Sequence, residues 1–184
     1  EHNEGKTVLV IGDNANRKHS VGGGSSEIKG LYEMTPLLGI TMAAGGNVKV
    51  LYERGYEADT NGNIWAPSGD GENGQADSLN SDQEQPAQDH KPDKLNMEMA
   101  ERALKAAETA DYVIFVGGLN HDYDTEGRDM LDMRLPYGQD ELIGRLLKIR
   151  PDAVIVLQCG TPVELGAWAD EAATIVHVSY SGME

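Results

Sequence analysis

Short apolar runs rich in β-branched residues recur along the chain, and longer segments with helical periodicity separate them. Such runs are too short for a helix and lack polar alternation, which is typical of strands buried on both faces of a parallel sheet. An alternating segment rich in strand-forming residues is typical of a strand as well. The pattern therefore predicts five strands, over 6–12, 47–53, 112–117, 153–157 and 174–178.

Helices are predicted between these strands, where apolar residues recur at spacings of three and four. The first helix has both ends marked. Thr35 and Pro36 are typical of a helix start, and the pair Gly45 and Gly46 is typical of an end. Further helices are predicted over 94–109, 140–149 and 163–172. Alternating strands and helices imply right-handed crossovers, so the predicted fold class is α/β, a mainly parallel sheet with helices on both faces in a flavodoxin-like α/β sandwich.

The segment 55–92 interrupts this order with a different composition. Gly, Asn, Asp, Ser and Gln predominate there, and large apolar side chains beyond Ile64, Trp65 and Leu79 are few, so burial cannot order the segment by itself. We interpret 55–92 as a long acidic loop insertion in a single domain that spans residues 1–184; the alternative is a binding segment in which Trp65 makes the contact. The chain begins without methionine and closes on a loop-like Ser-Gly-Met-Glu, so we expect it to be a piece of a longer multidomain protein.

Composition and charge exclude several classes of protein. The 184 residues are 39% hydrophobic, enough to bury the core of about one domain. The 31 Asp and Glu outnumber the 15 Lys and Arg, and the net charge of -16 would repel nucleic acid and an anionic membrane surface alike. No apolar run approaches the ~20 residues of a transmembrane helix. The single cysteine, Cys159, excludes an internal disulfide and a multi-thiolate metal site.

Neither a cofactor nor a metal is predicted. His19, His90, His121 and His177 show none of the paired spacing that is typical of metal ligands. A glycine-rich loop over 19–26 follows the first strand, where its backbone could approach a ligand closely. This loop lacks the Lys of a P-loop and the G-x-G-x-x-G spacing of a dinucleotide-binding turn, so a flexible turn is favoured over a nucleotide site.

A second loop, over 117–129, follows the most hydrophobic strand and contains four carboxylates together with Arg128. Carboxylates that lie close together raise one another's pKa, which is what a general acid requires near neutral pH. The alternative is a solvated loop whose charges have no chemical role. The residues alone leave both interpretations open.

The motifs of the chain, taken in order, resemble a known family. The acidic loop and its continuation read F-V-G-G-L-N-H-D-Y-D-T-E-G-R-D and L-D-M-R-L-P-Y-G-Q-D-E-L-I. Before them come V-L-V-I-G-D-N-A, G-G-G-S-S and A-D-Y-V-I-F-V-G, and after them V-I-V-L-Q-C-G-T-P-V-E-L and S-Y-S-G-M-E. This series is similar to the second, α/β-sandwich domain of glycoside hydrolase family 3, the β-glucosidase group, over nearly the whole chain apart from 55–92.

The resemblance implies a retaining, exo-acting β-glycosidase, expected to be a β-glucosidase that acts on a β-linked glucoside or oligosaccharide. An upstream (β/α)8 barrel domain would supply an Asp nucleophile, and this domain would supply the general acid/base, which falls on Glu126. Arg128, Gly23 and Ser25 would lie on the aglycone side of the cleft. Met130 stands where the family usually has Arg, a departure that bears on the ion pairs of the loop.

Other interpretations remain beside this one. A β-xylosidase or an N-acetylglucosaminidase of the same family would differ in barrel contacts that this chain does not contain. A non-catalytic, flavodoxin-like ligand-binding or interaction module would leave the acidic loop in water. The resemblance favours a secreted or periplasmic protein and leaves the cytoplasm open, and the chain alone, without the nucleophile, is expected to be inactive.

Overall fold

A computed structural model describes residues 5–19, 31–58, 94–121, 123–124, 130 and 132–180. Within these residues five strands form one sheet of order β2-β1-β3-β4-β5, and every neighbouring pair is parallel. The strands are β1 Thr7–Ile11, β2 Lys49–Glu53, β3 Tyr112–Gly118, β4 Val154–Gln158 and β5 Thr174–Val178. The α-helices of the same residues are α1 Pro36–Ala44, α2 Met97–Ala107 and α3 Gln139–Ile149. The predicted parallel α/β sheet is confirmed.

The two faces of the sheet carry separate apolar clusters, because successive side chains of a strand point to opposite faces. Leu9 and Phe115 belong to the larger cluster, which α2 and α3 cover with their buried alanine and leucine side chains. Val10 and Val116 belong to the smaller cluster on the other face, against which Leu37 and other partly buried residues of α1 pack. Helices therefore lie on both faces, as predicted. None of the helices in the described residues is long and apolar enough to cross a bilayer.

The ends of α1 follow the predicted sequence signals. The Thr35 hydroxyl accepts a hydrogen bond from the Leu38 backbone N–H at 3.2 Å, and Pro36 occupies the first helical position. Gly45 ends the helix with a φ of 73°, a value that glycine adopts without strain. The caps predicted from the sequence are therefore the caps at which this helix begins and ends.

The predicted helix over 163–172 is wrong. Only a short 3-10 helix, Ala169–Glu171, forms within that range. The Glu164 backbone N–H donates to the Met133 carbonyl at 2.7 Å, which ties the start of this stretch to the segment before α3. The indole Nε1 of Trp168 donates to Asp140 Oδ1 at 2.8 Å, and Trp168 is buried. Contacts with Met133, before α3, and with Asp140, in its first turn, thus override the helical periodicity of this stretch.

The first residues of the segment 55–92 pack into the domain core. Tyr56 is 0% exposed and belongs to the larger core cluster with Ala58. The planes of the Tyr56 and Tyr137 rings make an angle of 11°, and the two ring centroids lie 6.1 Å apart. The residues directly after β2 are therefore part of the domain core, while 59–92 lies outside the described residues.

Candidate active site at the carboxyl edge of the sheet

The strand order creates a switch point between β1 and β3. The chain leaves β1 toward β2 on one side, and it leaves β3 toward β4 on the other side. The loops after these two strands therefore diverge at the carboxyl edge of the sheet, where open α/β sheets bind their ligands. The described parts of these loops are residues 12–19 after β1 and residues 119–121 and 123–124 after β3.

A buried ion cluster closes the β1 side of this edge. Asp13 is only 6% exposed, and its carboxylate pairs with the guanidinium groups of Arg17 and Arg54. The Arg54 contact measures 2.7 Å from Nη2 to Oδ1. Two guanidinium groups surround one buried carboxylate here, so the Asp13 cluster is a structural ion cluster.

Asn14 joins the loop after β1 to the loop after β3. Its side-chain Nδ2 donates to the Leu119 carbonyl at 2.9 Å, and its Oδ1 accepts from the Tyr56 hydroxyl at 3.0 Å. Burial raises the pKa of Tyr56 far above its usual value, and the nearby Asp13 carboxylate adds to the shift. Tyr56 is consequently a neutral donor, and the two loops are tied at a fixed separation.

Three rings from three different loops meet beside this junction. His19 follows β1, His121 follows β3 and Tyr180 follows β5. The ring centroids lie 5.3 Å apart for His19 and His121, 5.3 Å for His19 and Tyr180, and 4.9 Å for His121 and Tyr180. The start of the glycine-rich loop and the start of the acidic loop are therefore in contact.

Burial determines the protonation state of His19. The side chain is 4% exposed, and burial first, then the neighbouring His121 and Arg17, lower the pKa of His19 to about 3. His19 is therefore neutral near pH 7. Within the described residues, His19 Nδ1 and His121 Nε2 are buried atoms without a hydrogen-bond partner.

Asp124 connects the acidic loop to the loops after β4 and β5. Its Oδ2 accepts from the Gly160 backbone N–H at 2.8 Å and from the Tyr180 hydroxyl at 2.9 Å. The Asp124 carbonyl lies 3.3 Å from His121 Nδ1. Burial, and next the Asp124 carboxylate, raise the pKa of Tyr180, so the phenol is protonated and donates. Asp124 is thus held from three directions.

Comparison with known proteins gives the family of this domain. A family model described as the Glycosyl hydrolase family 3 C-terminal domain matches residues 2–184. The chain belongs to this family. Beta-glucosidase BoGH3A of Bacteroides ovatus is 37% identical over 179 residues, which cover 96% of this chain and 21% of that protein. Probable beta-glucosidase I of Emericella nidulans is 41% identical over 87 residues, which cover 47% of this chain and 10% of that protein.

Solved structures share the fold of this family 3 domain. A GH3 beta-glucosidase of Bifidobacterium adolescentis matches with a TM-score of 0.67 and 22% identity, over 96% of this chain and 21% of that one. DesR, a beta-glucosidase from Streptomyces venezuelae solved in complex with D-glucose, matches with a TM-score of 0.69 and 16% identity, over 98% of this chain and 33% of that one. The chain spans about a fifth of the length of BoGH3A. The family 3 C-terminal domain is thus one part of a longer polypeptide in that relative.

The predicted site residues of the family 3 motif lie outside the described residues. This holds for Glu126 and Arg128 in the acidic loop and for Gly23 and Ser25 in the glycine-rich loop. The structure describes His19, the first residue of the glycine-rich loop, and residues 124 and 130, which flank 125–129.

Met130, on the carboxyl side of that segment, is also anchored. The Thr161 hydroxyl lies 3.1 Å from Met130 Sδ, and Met130 packs against the larger core cluster. A thioether is a weak hydrogen-bond acceptor, so packing accounts for much of this contact. Where the family pattern has Arg, this chain therefore has a partly buried apolar contact.

Several contacts at this edge of the sheet join residues that lie far apart in the sequence. Asp13 and Arg54 are separated by 41 residues, and Asp124 and Tyr180 by 56, so local spacing gives no signal of either pair. Tyr180 lies in the closing S-Y-S-G-M-E motif, and this motif is the sequence signal that points to Tyr180. Cys159 is buried, and burial raises the pKa of its thiol to about 11. In the described part of the chain no group of three or more His, Cys, Asp or Glu is placed to hold a metal ion.

Proposed function

We propose that this chain is the acid/base domain of a retaining, exo-acting β-glycosidase, a β-glucosidase that hydrolyses β-linked glucosides or oligosaccharides. Membership of glycosyl hydrolase family 3 and the beta-glucosidase relatives support the reaction class. The observation that carries the proposal is the meeting of His19 with His121 at 5.3 Å. The glycine-rich and acidic loops start together at the edge of the sheet where a ligand is expected.

In this proposal Glu126 is the general acid/base. Retaining hydrolysis uses two carboxyl groups about 5 to 5.5 Å apart, of which one attacks the anomeric carbon and the other protonates the departing oxygen. Glu126 would give its proton to the glycosidic oxygen and would then take a proton from the water that releases the sugar from the nucleophile. The nucleophile would be an Asp of a barrel domain outside this chain, so this chain alone would not complete turnover.

The remaining predicted residues would act on the leaving-group side of the cleft. Arg128 would contribute a cation, and Gly23 and Ser25 would contribute a close backbone approach and a hydroxyl. Neutral hydroxyl groups of a sugar suit such contacts without a cofactor or a metal. The net charge of -16 disfavours a polyanionic substrate.

The test is Glu126→Gln in the full-length parent protein. We expect kcat/KM to fall by about 10² to 10⁴ for a substrate with a poor leaving group, because general acid catalysis contributes a factor of that size. Added azide should restore part of the turnover of an activated aryl glucoside, because azide needs no general base to attack the glycosyl intermediate. Glu108→Gln, at the exposed end of α2, is the matched control and should have no effect. Unchanged hydrolysis by Glu126→Gln would refute the assignment.

A further inference from the structure

A contact of three rings joins the loops after β1, β3 and β5. The centroid of the His19 ring lies 5.3 Å from that of His121 and 5.3 Å from that of Tyr180. His19 meets Tyr180 edge-on, with an angle of 82° between the ring planes. We call these three residues the ring contact. Because its members come from three loops, separating the rings would separate the starts of the loops.

The surroundings of His19 suit an uncharged imidazole. The side chain is 4% exposed, and its Nδ1 is a buried atom that has no hydrogen-bond partner in the part of the chain that the structure describes. The same is true of His121 Nε2. An imidazolium carries a proton on both nitrogens, so charging His19 would place an N–H at Nδ1 opposite no described acceptor. A buried charged donor without a partner is costly.

The charges on the segment of His19 give little compensation for a proton. Arg17 is a cation two residues away, and it disfavours a second positive charge. The Asp13 carboxylate would favour the proton, but it already pairs with the guanidinium groups of Arg17 and Arg54. The near side of the ring contact is therefore occupied by a closed ion cluster.

The groups that face His19 from the other loops do not compensate the proton either. His121 disfavours a charge on His19 across the ring contact. The Tyr180 hydroxyl donates to Asp124 Oδ2 at 2.9 Å, and the same oxygen accepts from the Gly160 N–H at 2.8 Å, so this carboxylate is bound elsewhere. Burial first, then His121 and Arg17, lower the pKa of His19 to about 3, in agreement with this geometry.

The bonds closer to the strand ends have no such dependence on protons. Asn14 Nδ2 donates to the Leu119 carbonyl at 2.9 Å, and the Gln139 side chain binds the N–H and the carbonyl of Gly118 at 2.8 Å each. Side-chain amides and backbone groups do not titrate near neutral pH. A proton on His19 therefore acts on the ring contact and leaves these bonds, and the parallel strands from which the loops leave, in place.

We propose that the ring contact is an acid-sensitive switch, in which a proton on His19 separates residues 17–19 from His121 and Tyr180 while the five-stranded sheet stays folded. The closed form holds the starts of the loops together at neutral pH, and the open form releases them in acid. The inference goes beyond the proposed function and does not depend on Glu126.

The sign of the pH dependence follows from the two forms. In the open form His19 is in water and has an ordinary pKa of about 6.5, against about 3 in the closed form. The closed form is therefore fully favoured above about pH 6.5 and loses stability as the pH falls toward 3. Between pH 7.5 and pH 5 the ratio of open to closed form should rise about thirtyfold.

The experiment is native-state hydrogen exchange of the full-length parent protein at pH 7.5 and pH 5, over a series of low urea concentrations. Each rate is divided by the intrinsic rate at the same pH. The amides of Arg17 and Tyr123, which donate to the Asn14 and Asn120 carbonyls, report on the two loops, and the amides of β4 report on the sheet. We expect the protection of Arg17 and Tyr123 to fall about thirtyfold at pH 5 and to change little with urea, because a local opening exposes little surface. The β4 amides should stay more protected and should show the steep urea dependence of global unfolding.

Three variants assign the effect to His19. His19→Phe keeps an aromatic ring in the contact and removes the titrating group, so the protection of Arg17 and Tyr123 should be the same at both pH values. His19→Gln removes the ring as well, so it should lower the protection at both pH values by the same factor. His177→Gln, on an exposed histidine of β5, is the matched control and should keep the thirtyfold change.

Three results would overturn the switch. Protection of Arg17 and Tyr123 that is equal at pH 7.5 and pH 5 in the wild type would show that the contact does not respond to acid. A thirtyfold change that persists in His19→Phe would assign the response to another group. A urea dependence at pH 5 as steep as that of the β4 amides would mean that the proton unfolds the whole domain. These results leave the role of Glu126 untouched, since that role is tested by hydrolysis.

Discussion

Gln139 binds both backbone groups of Gly118. Its Oε1 accepts from the Gly118 N–H at 2.8 Å, and its Nε2 donates to the Gly118 carbonyl at 2.8 Å. Gln139 is the first residue of α3 and Gly118 is the last residue of β3. Gly118 has a φ of 116°, and a Cβ there would lie 2.2 Å from the Gln158 carbonyl oxygen, so the position requires glycine. This pair fixes the point from which the acidic loop leaves the sheet.

Replacing Gln139 by Ala should destabilise the end of β3. The change leaves the buried N–H and C=O of Gly118 without their side-chain partners, and each unsatisfied group costs about 1 to 3 kcal/mol. We expect native-state hydrogen exchange of the β3 amides to accelerate by about 10² or more, which corresponds to about 3 kcal/mol. Glu141→Ala, on the exposed side of the same helix, is the control. Equal exchange rates in wild type and Gln139→Ala would contradict the prediction.

The sequence predicts the architecture well because the strands are short apolar runs and the first helix has its own caps. Thr35, Pro36 and Gly45 bound α1 through local chemistry, and local chemistry is visible in a sequence. The stretch 163–172 could not be predicted this way, since the hydrogen bond from Glu164 to Met133 joins residues that are distant in the chain.

The same limit applies to the candidate site. A motif points to Glu126, but the contacts that flank its segment are long-range. Asp124 reaches Gly160 across 36 residues and Tyr180 across 56. Only the parallel order of the strands brings these loops to one edge, and no periodic pattern encodes which side chains then meet. The spacing of the histidines likewise gave no sign that His19 and His121 are neighbours.

His19 should make the stability of the domain depend on pH. Its pKa is lowered to about 3 in the fold and is about 6.5 in an unfolded chain, so the unfolded state binds the proton first. The stability contributed by neutral His19 is therefore complete above about pH 6.5 and is lost as the pH falls toward 3. At pH 5 the loss is about 2 kcal/mol.

The measurement is the change in urea midpoint between pH 7.5 and pH 5 for wild type and for His19→Gln. The variant should lose less stability over this interval, because the titrating group is gone. Contributions of carboxylates are common to both proteins and cancel in the comparison. His177→Gln, on an exposed histidine of β5, should behave as wild type. An identical pH dependence in His19→Gln and wild type would show that His19 is not the group responsible.

Asp13 should contribute more to the free energy of unfolding than Asp152, which is an exposed partner of Arg150. Asp13→Ala leaves Arg17 and Arg54 without their shared, buried counterion, and we expect a loss of about 2 to 4 kcal/mol. Asp152→Ala breaks the pair with Arg150 at a position where the carboxylate is exposed, and we expect less than about 1 kcal/mol. Chemical denaturation of the two variants at neutral pH gives the comparison. Similar losses in both variants would mean that burial of the Asp13 cluster adds nothing to the free energy of unfolding.

Gly160→Ala tests the turn after β4 by filling space instead of removing a contact. A Cβ at this position would lie 2.5 Å from Asp124 Oδ2 and 2.9 Å from a ring carbon of Tyr180, so Asp124 has to move. We expect the free energy of unfolding to fall by about 1 to 3 kcal/mol in urea denaturation, since the bonds from Gly160 and Tyr180 to Oδ2 are both disturbed. Gly144→Ala on α3 is the control, because nothing lies within 4 Å of its added Cβ and alanine favours the helix by about 0.5 to 1 kcal/mol. Should Gly160→Ala unfold at the same urea midpoint as wild type, the contacts of Asp124 with Gly160 and Tyr180 would contribute nothing to stability.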